Sequence, residues 1–294
     1  MLTPPLKPML LTTEERPFDS CEYYYEFKWD GFRCLAFINN DDIFLQSRNG
    51  NNLIDHFPSL SKLPSLLKES RLVLDGEICC ITPEGKQEIS LLQKKIQTKS
   101  STSPITYIIW DILYRNGENT YNYPLKHRKE ILEETVKIQD STLQISPFYR
   151  KEGKKLFSTA EKENLEGIVA KKINSPYQFK RSEFWKKIKA WKYTHALIGG
   201  YTKKGILLAG EKIENQIIYR GKVKSILPDS ERKALFGFLP RLKRASPPFF
   251  FSEKLPPGSE KIHWVEAKIS CRIRYTELTP EGKFRHGYVT ELNY

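Results

Sequence analysis

The stretch YYYEFKWDGFR, residues 23–33, sets one lysine, Lys28, among tyrosines, Phe27 and Trp29. Asp30 stands two residues on and Arg33 five. Two readings compete: a strand edge whose charges keep it in solution, or a lysine held for chemistry. Single acids inside apolar runs bear on the choice. Asp75 and Glu77 flank Gly76 in RLVLDGEICCI, Asp111 interrupts ITYIIWDILY, and Glu166 precedes GIVAKK. Alternation along a strand puts Asp75 and Glu77 on one face. A carboxylate buried without a partner is costly, so each acid needs a cation, a hydroxyl or a backbone donor. Any one alone reads as a turn acid or a strand-end ion pair. With Lys28, Lys187 and Lys189 they form the set a metal–nucleotide site uses, acids holding Mg²⁺ and lysines holding phosphate oxygens.

Neither GxxxxGK[ST] nor a GxGxxG after a strand occurs, so a nucleotide would be bound by another design. The five histidines are scattered, with no metal-ligand pair, and are assigned structural or surface roles. The five cysteines show no C-x-x-C spacing, which points to a reduced protein without a disulfide framework or zinc site.

The elements that must position these residues fall into two textures. A length of 294 residues suits two domains or one large one, and 39% hydrophobic with 12% aromatic residues can fill ordinary cores. Residues 1–20, with Pro4, Pro5, Pro8 and Pro17, read as an extended lead-in. YYYEF, RCLAFI and IFLQSR read as strands, the last two joined by a turn at NNDD. FPSLSKLPSLLKES holds a short helix and PLKHRKEILEETVK a longer one. EGIVAKK and EFWKKIKAWK are further strands. After Tyr193 come short strands between Gly-containing turns, a helix DSERKALFGFL capped by Asp229 or Ser230, a proline-rich loop PPFFFSEKLPPGSE, and closing strands. That pattern fits a small barrel of the OB type, with an SH3-like barrel fitting nearly as well. The expected division is 1–192 and 193–294, in an α+β chain.

Charge narrows the partner. The net charge is +13, and the residues from Tyr193 onward carry 18 Lys and Arg against 10 Asp and Glu. A polyanion is the expected ligand, with the C-terminal third as its electrostatic clamp. No apolar run approaches the roughly 18 residues of a membrane span. MLTPPLKPML is too short and proline-rich for a signal peptide. The expectation is a cytoplasmic, unanchored monomer.

Six motifs in order then carry a resemblance. Lys28-Trp29-Asp30-Gly31-Phe32-Arg33 matches the Lys-x-Asp-Gly-x-Arg signature of the covalent nucleotidyltransferases. SRNG (Ser47–Gly50), LDGE (Leu74–Glu77), IWDILY (Ile109–Tyr114), EGIVAKK (Glu166–Lys172) and WKKIK (Trp185–Lys189) follow. From about Pro4 to the last strand the chain resembles the ATP-dependent DNA ligases, most closely the ligase domain of bacterial end-joining ligases. The resemblance implies a nucleotidyltransferase (adenylation) domain of antiparallel sheets with flanking helices, followed by an OB-fold barrel. It implies ATP and Mg²⁺, with Mn²⁺ as an alternative, and nicked or broken duplex DNA as substrate. A bacterial DNA-end-binding protein is the implied partner.

It also implies roles. Lys28 is the expected nucleophile that takes AMP from ATP. Lys187 and Lys189 are expected on the α-phosphate, Arg33 and Glu77 on the ribose, and Glu77 and Glu166 at the metal. Trp110 would stack on adenine where the family usually has phenylalanine, and Glu26 is a weaker adenine contact. Arg48 would meet phosphate of nucleotide and then DNA; Lys203, Lys204, Arg220, Lys222 and Lys224 are further expected DNA contacts. An amine attacks phosphorus only when neutral, and roughly one free lysine in two thousand is neutral at pH 7. Nearby cations and aromatic walls, which this set provides, favour the neutral form.

The chain departs from the family at one place. The usual basic motif near Arg-x-Asp-Lys, which orients pyrophosphate, is not found in FRHGYVTELNY. Arg272, Arg274 or Arg285 would have to substitute, or charging with ATP is slow. RNA ligases and capping enzymes share the lysine motif, and a nick-binding protein of weak activity is the reading from another class. The wording of SRNG, EGIVAKK and IGGYT favours DNA ligase over the RNA enzymes; against the nick-binding reading stands the intact Lys28, and for it the missing terminal basic motif.

Overall fold

Near-continuous apolar runs in FRCLAFIN and RLVLDGEICC give each strand two buried faces, one for a helical layer and one for a second sheet. The computed structural model describes residues 2–82, 85, 87–98, 104–251 and 261–293. It divides into two compact units, Met1–Ala190 and Trp191–Tyr294.

The first unit runs β1 (Leu10–Thr13), β2 (Tyr23–Phe27), β3 (Phe32–Asn39), β4 (Asp42–Ser47), β5 (Arg71–Cys80), α1 (Ile89–Thr98) and β6 (Ile105–Arg115). It continues through α2 (Leu125–Thr135), β7 (Leu143–Ile145), β8 (Phe148–Arg150), α3 (Gly153–Lys162), β9 (Gly167–Lys172) and β10 (Arg181–Lys189). Two five-stranded sheets result, ordered β4-β3-β5-β6-β7 and β1-β10-β9-β2-β8. Leu72, Leu74, Ile78 and Cys80 of β5 face a core closed by Leu60 and Leu63 of the 3₁₀ segment Pro58–Leu66, Leu92 of α1, and Ile131 and Leu132 of α2. Val73 faces the other way, into a core shared with Met9, Trp110, Tyr177 and Trp185. Asp75 and Glu77 follow Val73 by alternation, so the two acids point into the space between the sheets. The far side of the second sheet packs Tyr25, Ile168, Ala170 and Ile188 against Leu156 and Ala160 of α3.

The second unit holds β11 (Lys192–Thr202), β12 (Leu207–Ile213), β13 (Gln216–Ser225), α4 (Asp229–Phe238), β14 (Ile262–Tyr275), β15 (Glu277–Leu278), β16 (Phe284–Arg285) and β17 (Tyr288–Asn293). β11, β12, β13, β17 and β14 close into a barrel in that order. Its interior is filled by residues such as Ile198, Leu207, Val223, Cys271 and Val289, with Leu235 and Leu239 over it. Closure removes the exposed sheet edge. Outside the barrel, Phe249 packs with Leu208, Tyr219 and Trp264. Phe250 donates its amide to Ile217 at 2.7 Å and accepts from Tyr219 at 3.0 Å, so part of the proline-rich loop runs along β13. Residues 252–260 of that loop lie outside the described residues.

The two-sheet unit and the OB-type barrel agree with the sequence reading, and four details correct it. The extended lead-in contains a strand, β1, which pairs in parallel with β10. Parallel pairs also join β6 to β7 and β13 to β17, so the sheets are not wholly antiparallel. Helix α3 was not anticipated, although Leu156 and Ala160 have helical spacing. The start of α4 is capped by neither Asp229 nor Ser230: Pro228 takes the N-cap position without a side-chain bond, and Asp229 sits in the first turn, where its charge favours the helix dipole.

Asp111 also departs from expectation. It does not join the acids around Lys28. Its two oxygens receive Arg128 Nε at 2.7 Å and an Arg128 terminal nitrogen at 2.9 Å, and both side chains are fully buried. Arg128 also donates to the Tyr123 and Ser175 carbonyls. Removing one partner of such a pair strands a buried charge, at a cost of about 3–5 kcal/mol. Asp111→Ala is therefore expected to lower unfolding stability by about that amount in urea titrations, far more than Asp140→Ala, whose pairing with Lys62 is partly exposed.

Candidate active site

Three neighbouring strands bring the central charges together. β2 runs antiparallel to β9, pairing Phe27 with Ile168, and the Lys28 amide continues the ladder by donating to the Gly167 carbonyl at 2.9 Å. β10 runs antiparallel to β9 on its other side, pairing Lys189 with Gly167. Lys28 and Lys189 are thus delivered to the start of β9 from opposite sides, and Glu166 stands there. Its carboxylate accepts from Lys28 Nζ through one oxygen and lies 2.9 Å from Lys189 Nζ through the other. Gly167 makes the crossing: φ is +134°, and a Cβ there would lie 2.1 Å from the Ile188 carbonyl oxygen.

Alternation along β10 puts Trp185, Lys187 and Lys189 on one face. Lys187 holds its ammonium less readily than a free lysine, first through burial and then through Lys189, Lys28 and Arg181. The Glu166 carboxyl is raised by burial, but Lys28 and Lys189 outweigh this and bring it down to about 2.

The loop after Lys28 passes tightly over β5. A Cβ on Gly31 would meet the Ile78 carbonyl oxygen at 2.2 Å and Glu77 Cγ at 3.0 Å, so only glycine allows the approach. Arg33, opposite Glu77 in the β3–β5 ladder, makes a two-pronged contact with Asp75 at 2.6 and 2.5 Å. Tyr177 donates to the same Asp75 at 2.8 Å while receiving the Met9 amide at 2.8 Å. Burial pushes the Glu77 carboxyl up to about 7; Lys28 and Arg33 pull it down, and Asp30 and Glu166 push it further up.

A third group lies deeper. Glu26 accepts from Lys129 at 2.6 Å and from Lys171 at 2.8 Å, and all three are buried. Burial raises the Glu26 carboxyl, but the two lysines outweigh it and hold it below the ordinary range. The Lys171 ammonium also lies 4.8 Å from the centre of the Trp110 ring and 4.5 Å from that of Trp185. Burial lowers its pKa to about 7 despite Glu26. Trp110 is the extra residue of a bulge: Asp75 pairs with Asp111 and Gly76 with Ile109, leaving Trp110 without a place in the ladder. Bulges re-aim side chains in this way. The Arg33 guanidinium sits 4.6 Å from its ring centre.

Between these groups lies a cavity of about 50 Å³ bordered by Lys28, Arg33, Glu77, Trp110, Lys171 and Trp185, with Glu26 also on its wall. Both indole N–H groups, of Trp110 and Trp185, are buried without an acceptor.

The residues singled out from sequence are thus distributed as follows. Lys28, Glu26, Arg33, Glu77 and Trp110 line the cavity, and Glu166, Lys187 and Lys189 gather beside Lys28. Asp75 anchors Arg33 instead of joining a metal set, because a buried carboxylate beside a guanidinium is already satisfied. Arg48 is exposed in the turn after β4 and does not border the cavity. In the barrel unit, Lys203, Lys204, Lys222 and Lys224 are exposed. Arg220 is held by Glu211 at 2.6 Å and the Gly282 carbonyl at 3.0 Å. Arg272 lies over Tyr193, Arg274 over Trp191, and Arg285 is paired with Glu277. Lys171, Trp185 and Lys129 were not singled out individually. Period-two alternation from Lys187 carries a signal for Trp185, which lies two before it on the same strand; Lys171 and Lys129 have no such signal from Glu26, which lies on a different element.

Among the described residues no three of His, Cys, Asp and Glu form a ready metal shell. Glu77, with Asp30 near enough to act on it, is a hard oxygen donor of the kind that suits Mg²⁺ when phosphates and water complete its coordination, whereas Glu166 would have to release Lys28 or Lys189 to join it.

Comparison with known proteins gives a consistent picture. Residues 8–189 match the family described as ATP dependent DNA ligase domain, and residues 200–293 the ATP dependent DNA ligase C terminal region. The SPbeta prophage-derived DNA ligase-like protein LigB of Bacillus subtilis is 30% identical over 95% of this chain and 96% of its own length. The multifunctional non-homologous end joining protein LigD of Pseudomonas aeruginosa is 29% identical over 95% of this chain, which spans 34% of that protein. Among solved structures, a mycobacterial DNA ligase D complexed with ATP and MES aligns with a TM-score of 0.58 and 26% identity, covering 98% of this chain and 95% of that one.

The pairing at Glu166 has a pH signature. Its folded pKa lies below the unfolded value, so its stabilisation is present above about pH 4.5 and is lost as pH falls toward about 2. Urea unfolding across that range is expected to show this loss in the parent protein and not in Glu166→Gln.

Proposed function

The chain belongs to the ATP-dependent DNA ligases, and from that premise we propose that Lys28 is the nucleophile and that the cavity beside it takes the nucleoside of ATP. The observation that carries the reading is Lys28 bordering the cavity with Glu166, Lys187 and Lys189 gathered around it. In the first step the neutral amine attacks the α-phosphorus. An N–P bond forms, the bond to the bridging oxygen breaks, pyrophosphate leaves, and the lysine proton passes to solvent. Lys187 and Lys189 neutralise the charge that builds on the α-phosphate oxygens. AMP then passes to a DNA 5′-phosphate as the N–P bond breaks. Attack by a 3′-hydroxyl closes the phosphodiester and releases AMP.

Arg33 and Glu77 hold the ribose, Trp110 packs on the base, and Glu26 is its polar contact. The buried indole N–H groups of Trp110 and Trp185 are donors that a ligand acceptor would satisfy. A cavity of about 50 Å³ is small beside the roughly 300 Å³ of an ordinary small-molecule site. Nucleotide entry therefore shifts the side chains between the two tryptophans, Lys171 first. Glu77 and Glu166 would hold Mg²⁺, or Mn²⁺ in its place, which would supply charge neutralisation on the triphosphate.

Exposed Arg48, Lys203, Lys204, Lys222 and Lys224 meet DNA phosphates; Arg220 is the weaker contact because Glu211 and Gly282 already hold it. The end-joining relatives support broken duplex DNA as a substrate alongside nicks; an end-binding protein is the proposed partner. Arg272, Arg274 and Arg285, the residues that would orient pyrophosphate, are engaged with aromatic rings or Glu277. Charging with ATP is accordingly the slower half of the cycle.

Mass spectrometry after incubation with ATP and Mg²⁺ is expected to show one AMP on Lys28. Lys28→Ala should lose the adduct and ATP-dependent sealing, yet still seal a pre-adenylated nick, since that step needs no lysine nucleophile. An adduct on the alanine variant would end this reading. Single-turnover rates should be lower for charging than for sealing of the pre-adenylated nick.

A further inference from the structure

The barrel unit carries a second concave site of different make. The end of β11 and the start of β14 pair Tyr201 with His263. Their rings stack with centroids 5.0 Å apart and planes 24° from parallel. Phe236 of α4 meets Tyr201 edge-on at 6.0 Å, while His263 is exposed. Beside this stack the chain returning from α4 adds itself to β14. Lys243 bridges to Val265, and the Arg244 amide donates to the Trp264 carbonyl at 2.9 Å. The backbone thus fixes two exposed cations at the rim. Between rings and cations lies a cleft of about 400 Å³ with Trp264 and Ile262 also on its wall, and no carboxylate borders it among the described residues. Glu266, next along the strand, is paired with Lys268 at 2.5 Å and also lies near enough to Arg244 to feel its charge, more weakly than that of Lys268.

We propose that this cleft binds an unpaired nucleotide of a nucleic-acid strand, the base stacked on His263 and the flanking phosphates held by Lys243 and Arg244. Every base has a flat face, so stacking on an aromatic ring is tolerant of sequence. In a duplex that face is already covered by neighbouring bases, which makes the site selective for unpaired strand. Two cations at the rim answer the two phosphates either side of a nucleotide. The volume falls in the range of ordinary ligand sites. Barrels of this type commonly bind strands on the second and third strands and the adjoining loops; here the site is built from the first strand, the fourth, and the chain that returns after the helix. It does not depend on the chemistry assigned to Lys28.

The test uses the full chain and fluorescence anisotropy with three probes: an oligothymidylate of about twelve nucleotides, a blunt duplex of the same length, and thymidine monophosphate. His263→Ala is expected to weaken oligonucleotide binding about five-fold or more, and His263→Tyr to retain it. Lys243→Ala/Arg244→Ala should also weaken it and flatten the salt dependence by about 1.4 in log–log slope, the share of two single-strand phosphates. Duplex affinity and the charging of Lys28 by ATP should match the parent, the latter showing that the variants fold. An equal loss on the duplex would reduce the site to a general basic surface and overturn the proposal, as would an unchanged oligonucleotide affinity in His263→Ala. Monophosphate binding as tight as the oligonucleotide would assign the cleft to free nucleotides and overturn it equally.

Discussion

One carboxylate holding two lysines from strands on either side of it is the contact around which the rest of the site is arranged. Glu166 can do this because Lys28 and Lys189 each reach the start of β9 through a separate ladder, and Gly167 lets the chain through without a side chain. Two ammonium groups brought this close would repel; with one carboxylate between them they form a compact, mostly buried cluster with one charge in excess. That excess, increased by Lys187, is an electrostatic setting for a phosphate before any substrate arrives.

The same economy recurs deeper in the unit. Glu26 serves Lys129 and Lys171, and Asp75 serves Arg33 and Tyr177. In each case a carboxylate is shared, so the interior between the sheets is rich in donors. Lys171 is the extreme case, an amine beside two indoles: burial pushes its pKa down to about 7, although Glu26 and, less strongly, Asp111 favour its charged form. Buried ions of this kind seldom add net stability, which makes an arrangement suited to binding the better explanation of their cost.

Much of this was legible in the residues. The run of motifs named the family, and the textures before and after Tyr193 separated a two-sheet region from a barrel. Acids inside apolar runs demand a partner, which drew attention to Glu77 and to Lys28, Lys187 and Lys189 as its complement; the role of Arg33 came from the family resemblance. The partners themselves were not legible. Asp111 meets Arg128 across 17 residues, and Asp75 meets Tyr177 across 102. Those choices are made by packing, which strand patterning does not encode. The bulge at Trp110 was equally hidden, since a ladder shift of one residue leaves no mark in composition. The lead-in strand escaped because four residues, LLTT, are too few to show alternation, and its pairing comes from a strand far along the chain.

That lead-in strand has a consequence for the order in which the molecule is made. Leu10 through Thr13 pair with residues from Arg181 to Lys187, and Met9 donates to Tyr177. A nascent chain leaving the ribosome must therefore keep its first strand waiting until nearly all of the first unit has emerged. Such long-range closure slows folding relative to local contacts, and it leaves a short apolar segment searching for its partner throughout synthesis. Leu11, which follows in the same strand, borders the cavity; the pocket wall is thus among the last parts of the unit to be set in place.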